Sequence, residues 1–157
     1  MYTCSFFKIQ ELVPPAMYEQ FAKAGNTSRL WVAFDDRILR ALDGLRRRFG
    51  PLVVNSWATG GPYTESGLRE VGTTTGSPMS QHKFGRGIDF RSRSVTPDEI
   101  HADLVASGGL KAGFRFQGND GWHLVHRVEY YPGITWTHID VSPDLLEDGR
   151  VKVFAGS

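Results

Sequence analysis

A chain of 157 residues with 40% apolar residues is long enough to bury the core of one domain. Its formal net charge of +1 argues against a nucleic-acid binder working by bulk electrostatics, and its 12% aromatic content excludes a disordered tail. The single cysteine, Cys4, excludes an internal disulfide and any thiolate-rich structural zinc of the finger type.

The opening Met1-Tyr2-Thr3-Cys4-Ser5-Phe6-Phe7-Lys8 lacks the basic segment and long apolar core of a secretory signal. No run approaches the length needed to cross a bilayer. A soluble product made in the cytoplasm, with no membrane insertion, is therefore expected. After a short apolar lead-in ended by Pro14-Pro15, residues 16–24 read as a helix stopped by Gly25-Asn26. Residues 28–49 read as one longer helix. Leu30, Phe34, Ile38, Ala41, Leu42, Leu45 and Phe49 form its apolar stripe, and Gly50-Pro51 ends it. Arg46, Arg47 and Arg48 at its end complement the helix dipole, the alternative being an anion site.

Leu52-Val53-Val54-Asn55-Ser56-Trp57 reads as a buried strand. Residues 59–79, rich in Gly, Thr, Ser and Pro, read as a loop of a length that is often functional. A second strand is expected at 87–90. Thr96-Pro97-Asp98-Glu99 combines an N-cap, a proline at the first helical position and a capping box, opening a helix that ends at Gly108-Gly109. Strands are expected at Phe114-Arg115-Phe116 and at 122–130, 135–141 and 151–154. There is no internal repeat or linker, so residues 1–157 are expected to form one α+β domain, with an antiparallel sheet and helices packed on one side.

Chemistry concentrates in Ser80-Gln81-His82-Lys83-Phe84-Gly85-Arg86-Gly87-Ile88-Asp89 and in Trp136-Thr137-His138-Ile139-Asp140. Two histidines and a carboxylate are a zinc ligand set, and three protein ligands leave a fourth position for water, the mark of a catalytic rather than a structural site. The other reading of each histidine, taken alone, is a hydrogen-bonded structural residue. Strand alternation puts Trp136, His138 and Asp140 on one face. His123 and His126 would face opposite sides of a strand and cannot both serve one metal without a bulge, and His101 falls on the capped helix.

The string Ser80-x-His82-x-x-Gly85-x-Gly87-x-Asp89 closely resembles the S-x-H-x-x-G-x-A-x-D signature of the zinc D-alanyl-D-alanine carboxypeptidase-like peptidases. That group includes vancomycin-resistance dipeptidases and phage L-alanyl-D-glutamate endolysins, and shares the hedgehog-like fold. Trp136-Thr137-His138-Ile139-Asp140 is similar to its second signature, and Phe7-Lys8-Ile9-Gln10-Glu11-Leu12 to the start of many phage-encoded members. The resemblance implies a hedgehog/D-Ala-D-Ala-peptidase-like fold, with His82, Asp89 and His138 as ligands of a Zn2+ ion. Two positions depart from the pattern. Gly87 stands where alanine is usual, and Thr135 stands where many members carry the catalytic Glu or Asp, three residues before the last histidine.

The catalytic role must then move. Glu129, folded back beside His138 by a turn at Tyr131-Pro132-Gly133-Ile134, is the first candidate, and Asp140 is the second, with a partner of the metal ligand as its other reading. By the same resemblance Arg69 would hold a substrate carboxylate or polarise a carbonyl, with Ser80 and Gln81 as hydrogen-bonding candidates. The implied activity is a zinc metallopeptidase acting on the peptidoglycan stem peptide, of endolysin or virion-carried type, with other phage virion proteins as further partners. The alternative is a metal-binding but non-catalytic component of a phage virion or tail.

Overall fold

The computed structural model describes residues 1–108, 121–143 and 151–156. They form a small α+β domain with helices α1 (Pro15–Lys23), α2 (Asp36–Phe49) and α3 (Pro97–Ala106), and strands β1 (Leu52–Val53), β2 (Gly87–Ser92), β3 (Arg127–Glu129), β4 (Thr137–Asp140) and β5 (Lys152–Phe154). The sheet order is β1-β2-β4-β3-β5. The expected strand at 114–116 lies outside the described residues.

The expectation of an antiparallel sheet needs correcting, because the sheet is mixed. β1 with β2, β2 with β4 and β4 with β3 are antiparallel, but β5 runs parallel to β3. β4 occupies the inner edge of β3, so the last strand is left with the outer edge. There it runs opposite to β4, the strand before it in the chain, and so lies parallel to β3.

Register gives the sheet two chemically distinct faces. Ile88, Ile139, Val128 and Val153 lie in one row across four strands, and the first three are buried. They join one core with Ile38, Leu42 and Leu45 of α2 and with Ile100 and Leu104 of α3. Because side chains alternate, the rows on either side of that one share the opposite face. These are Asp89, His138, Glu129 and Phe154, then Gly87, Asp140, Arg127 and Lys152.

The single helix expected at 28–49 is two elements. Residues Thr27–Ala33 form a 3-10 turn, and α2 begins only at Asp36. Asp35 makes the break: its backbone is extended and its carboxylate accepts the Arg37 N–H at 2.9 Å, an N-cap in mid-pattern. The stripe itself holds, with Leu30, Phe34, Ile38, Ala41, Leu42 and Leu45 all buried. α3 opens on the expected capping box, where Thr96 receives the Glu99 N–H and Glu99 receives the Thr96 N–H.

Two other segments are shorter in strand than their composition suggests. After Val53 the chain leaves the ladder, and the Asn55 and Trp57 side chains both donate to the Val13 carbonyl. Residues Trp122–Leu124 form a 3-10 turn packed on α2, and buried Trp122 donates to Asp103 at 3.0 Å. Arg46 and Arg47 lie over the Phe6 ring, and Arg48 forms a two-pronged pair with Asp103.

Candidate metal centre

His82 arrives on a four-residue 3-10 turn (Gln81–Phe84) directly before β2. Gly85 ends that turn at φ +64°, in the left-handed region that favours glycine. A Cβ there would also stand 1.8 Å from the Ala33 carbonyl. The Gly85 carbonyl accepts the Asp35 N–H at 3.0 Å, so the break before α2 and the histidine turn are fastened together.

Asp89 and His138 are direct cross-strand partners on β2 and β4. Their atoms meet His82 in a triangle. His138 Nδ1 lies 2.8 Å from Asp89 Oδ1 and 3.1 Å from His82 Nε2, and His82 Nε2 lies 3.2 Å from Asp89 Oδ1. Ligands about 2.0–2.1 Å from a tetrahedral zinc lie roughly 3.3 Å from one another, so this triangle has the size of one face of the coordination tetrahedron. Among the described residues, these three are the group of His, Cys, Asp and Glu side chains that could hold a metal ion.

The surroundings choose the tautomers. His82 Nδ1 is 2.7 Å from the Gly67 carbonyl and donates to it, which leaves the Nε2 lone pair facing the centre. His138 Nε2 is 3.2 Å from Asp140 Oδ2 and donates to that carboxylate, leaving Nδ1 for the centre. Asp140 is fully buried and itself held by Arg127, at 2.8–3.0 Å, and by the Ser142 N–H. Gly67 can bring its carbonyl so close only because it has no side chain: a Cβ would stand 2.1 Å from the Leu12 carbonyl oxygen.

Electrostatics follow from this packing. Burial lowers His82 by more than the Asp89 carboxylate raises it, which favours the neutral ligand form. Burial would also lower His138, but hydrogen bonds to Asp140 and Asp89, with their charges, raise it to about 9. Burial would raise Asp89, yet His138 and His82 hold it well below the usual carboxylate range. Asp140 is likewise lowered, burial being outweighed by His138 and Arg127. His82 and Asp89 are thus biased towards the neutral and ionised forms that bind a cation, whereas His138 is biased towards its protonated form and must release a proton to bind one.

The triangle opens onto a cleft of about 660 Å³ whose walls include Arg69, Ser80, Gln81, Glu129, Trp136 and Phe154. Every residue expected to serve the site therefore reaches one cleft. The two carboxylates differ: both Asp140 oxygens are engaged, whereas no hydrogen bond or ion pair claims Glu129 among the described residues. Arg69 is not a free anchor, since its Nη2 lies 3.1 Å from Asp89 Oδ2 and its Nε donates to the Glu65 carbonyl at 2.7 Å. Thr135 is exposed and lines a separate groove with Ser92 and Thr96. His123 sits near Tyr2 and Arg47, His126 bonds the Ser142 carbonyl, and His101 stacks on Tyr130. None of the three joins the centre.

Arg127 and the Gly67 carbonyl were not singled out in the sequence. Arg127 faces Asp140 across β3 and β4, a relation that appears only once the strands are paired. Gly67 lies in the long loop, and nothing in its neighbours' composition marks the carbonyl as an acceptor for His82. Compared with protein-family models, curated proteins and solved structures, the chain matches none.

Proposed function

We propose that this chain is a zinc-dependent metallopeptidase that hydrolyses peptide bonds in peptidoglycan stem peptides. One observation carries the reading: two imidazole nitrogens and a carboxylate oxygen converge at zinc-ligand spacing on the wall of a cleft that also presents the uncommitted carboxylate of Glu129. The donor set fits zinc, which favours imidazole and carboxylate in sites that keep one position open. Bound there by His82, Asp89 and His138, zinc would polarise the scissile carbonyl and make a water molecule acidic.

The remaining steps belong to the chain. Glu129 stands across from His138 in the sheet, a spacing of about 5 Å between Cβ atoms, so its carboxylate can reach a water at the open position. It takes the proton of the attacking water and passes it to the leaving amine. Asp140 and Arg127 hold the His138 ring. Ser80 and Gln81 on the rim supply hydrogen bonds to the peptide, while Trp136 and Phe154 give the cleft its apolar wall. The stem-peptide substrate and the hedgehog/D-Ala-D-Ala-peptidase-like fold rest on the resemblance of the two sequence motifs. No helix among the described residues is long and apolar enough to cross a membrane. Action on the cell wall, from an endolysin or a virion, is part of the same proposal.

A second reading is a metal-binding, non-catalytic component of a phage virion or tail. Thr135, exposed and outside the cleft at the position where a catalytic carboxylate is expected, favours it. Digestion of purified peptidoglycan, followed by mass analysis of the released fragments, separates the two. Chelator-sensitive cleavage of a stem-peptide bond supports the peptidase. Undigested wall at full zinc loading supports the structural role.

A further inference from the structure

Residues 65–69 grip both metal-binding groups that precede β4. The Gly67 carbonyl accepts from His82 Nδ1, and the Arg69 N–H donates to the His82 carbonyl at 3.1 Å. The Ser66 carbonyl accepts the Asp89 N–H at 2.7 Å. Arg69 then completes the grip from its side chain. Its Nε is tied to the Glu65 carbonyl, its Nη2 to Asp89 Oδ2, and its Nη1 lies so near Gly76 that a Cβ there would come within 2.7 Å. Only about a tenth of the side chain is exposed.

We infer that Arg69 is a positioning residue of the metal centre: by holding Asp89 Oδ2 it presents Oδ1 alone to the metal and keeps the fourth coordination position open. This rests on the zinc reading above and adds to it a role that acts through Asp89 rather than through the substrate. The geometry gives the reason. A carboxylate whose second oxygen is unrestrained can swing to bind a metal through both oxygens, and that would add a fifth ligand that crowds the position the attacking water needs. A guanidinium pinned at both Glu65 and Asp89 opposes the swing, and its planar fork of donors suits two acceptors at once. A lysine offers one point charge and cannot span both.

The test is zinc affinity, measured by competition against a chromophoric chelator, for the parent protein, Arg69→Ala and Arg69→Lys, with near-ultraviolet circular dichroism to check the fold. Loss of an outer partner of a metal ligand costs about 10–100-fold in affinity, and Arg69→Ala should show a loss of that order, with Arg69→Lys intermediate. The cobalt(II)-loaded Arg69→Ala variant should also absorb more weakly in the visible than the cobalt-loaded parent. That is the change from four to five ligands expected when Asp89 binds through both oxygens, and a general loosening of the fold would not produce it. A folded Arg69→Ala protein with parental zinc affinity and cobalt spectrum would overturn the inference. Should that variant fail to fold, parental affinity in Arg69→Lys would overturn it equally. A parent that binds no zinc would instead remove the zinc reading, and this inference with it.

Discussion

Asp140 lies two residues along β4 from His138, and Glu129 lies directly across from it on β3. Buried Asp140 spends its oxygens on Arg127, Ser142 and His138, so it has no free lone pair aimed at a substrate. Glu129 is uncommitted and lines the cleft. Glu129→Gln should therefore keep zinc and fold while losing roughly 10²–10⁴-fold in turnover, the usual worth of a positioned acid or base. Asp140→Asn should act on the metal, weakening zinc binding by about 10–100-fold through a loosened His138. Steady-state rates alongside zinc titrations of both variants check the pair, and a reversed pattern would transfer the proton role to Asp140.

Among the elements, the region around α2 shows what a pattern can and cannot reveal. The apolar positions from Leu30 to Leu45 were legible, and they are buried as the stripe requires. The break at Asp35 was not, because a 3-10 turn followed by an α-helix repeats its apolar side chains at nearly the spacing of one continuous helix. The two arrangements predict opposite signs for one substitution. At an N-cap, Asp35→Ala should cost about 1 kcal/mol in urea unfolding. Inside a continuous helix the same change would be neutral or stabilising, since alanine is the better helix former. The capped start of α3 was legible because Thr96, Pro97 and Glu99 act within a few residues of one another. The strands at 52–57 and 122–130 are shorter than their composition suggests, because Asn55, Trp57 and Trp122 satisfy their polar atoms on Val13 and Asp103, partners far away in sequence.

For the molecule as a whole, the site comes from strand order. β4 lies between β2 and β3, so a residue from each falls into one row, Asp89, His138 and Glu129, backed on the other face by the row that packs into the core. The ligand types could be read from two short motifs, but their meeting depends on the pairing of segments about fifty residues apart, which no local pattern records. The parallel β5, which places Phe154 at the end of that row, was hidden for the same reason. Metal analysis of the purified protein after exhaustive dialysis, beside His82→Ala, tests the central claim most directly. The parent should retain about one zinc per chain and the variant almost none. A parent without zinc, or a His82→Ala protein that holds as much as the parent, would contradict the assignment of His82, Asp89 and His138 as a metal centre.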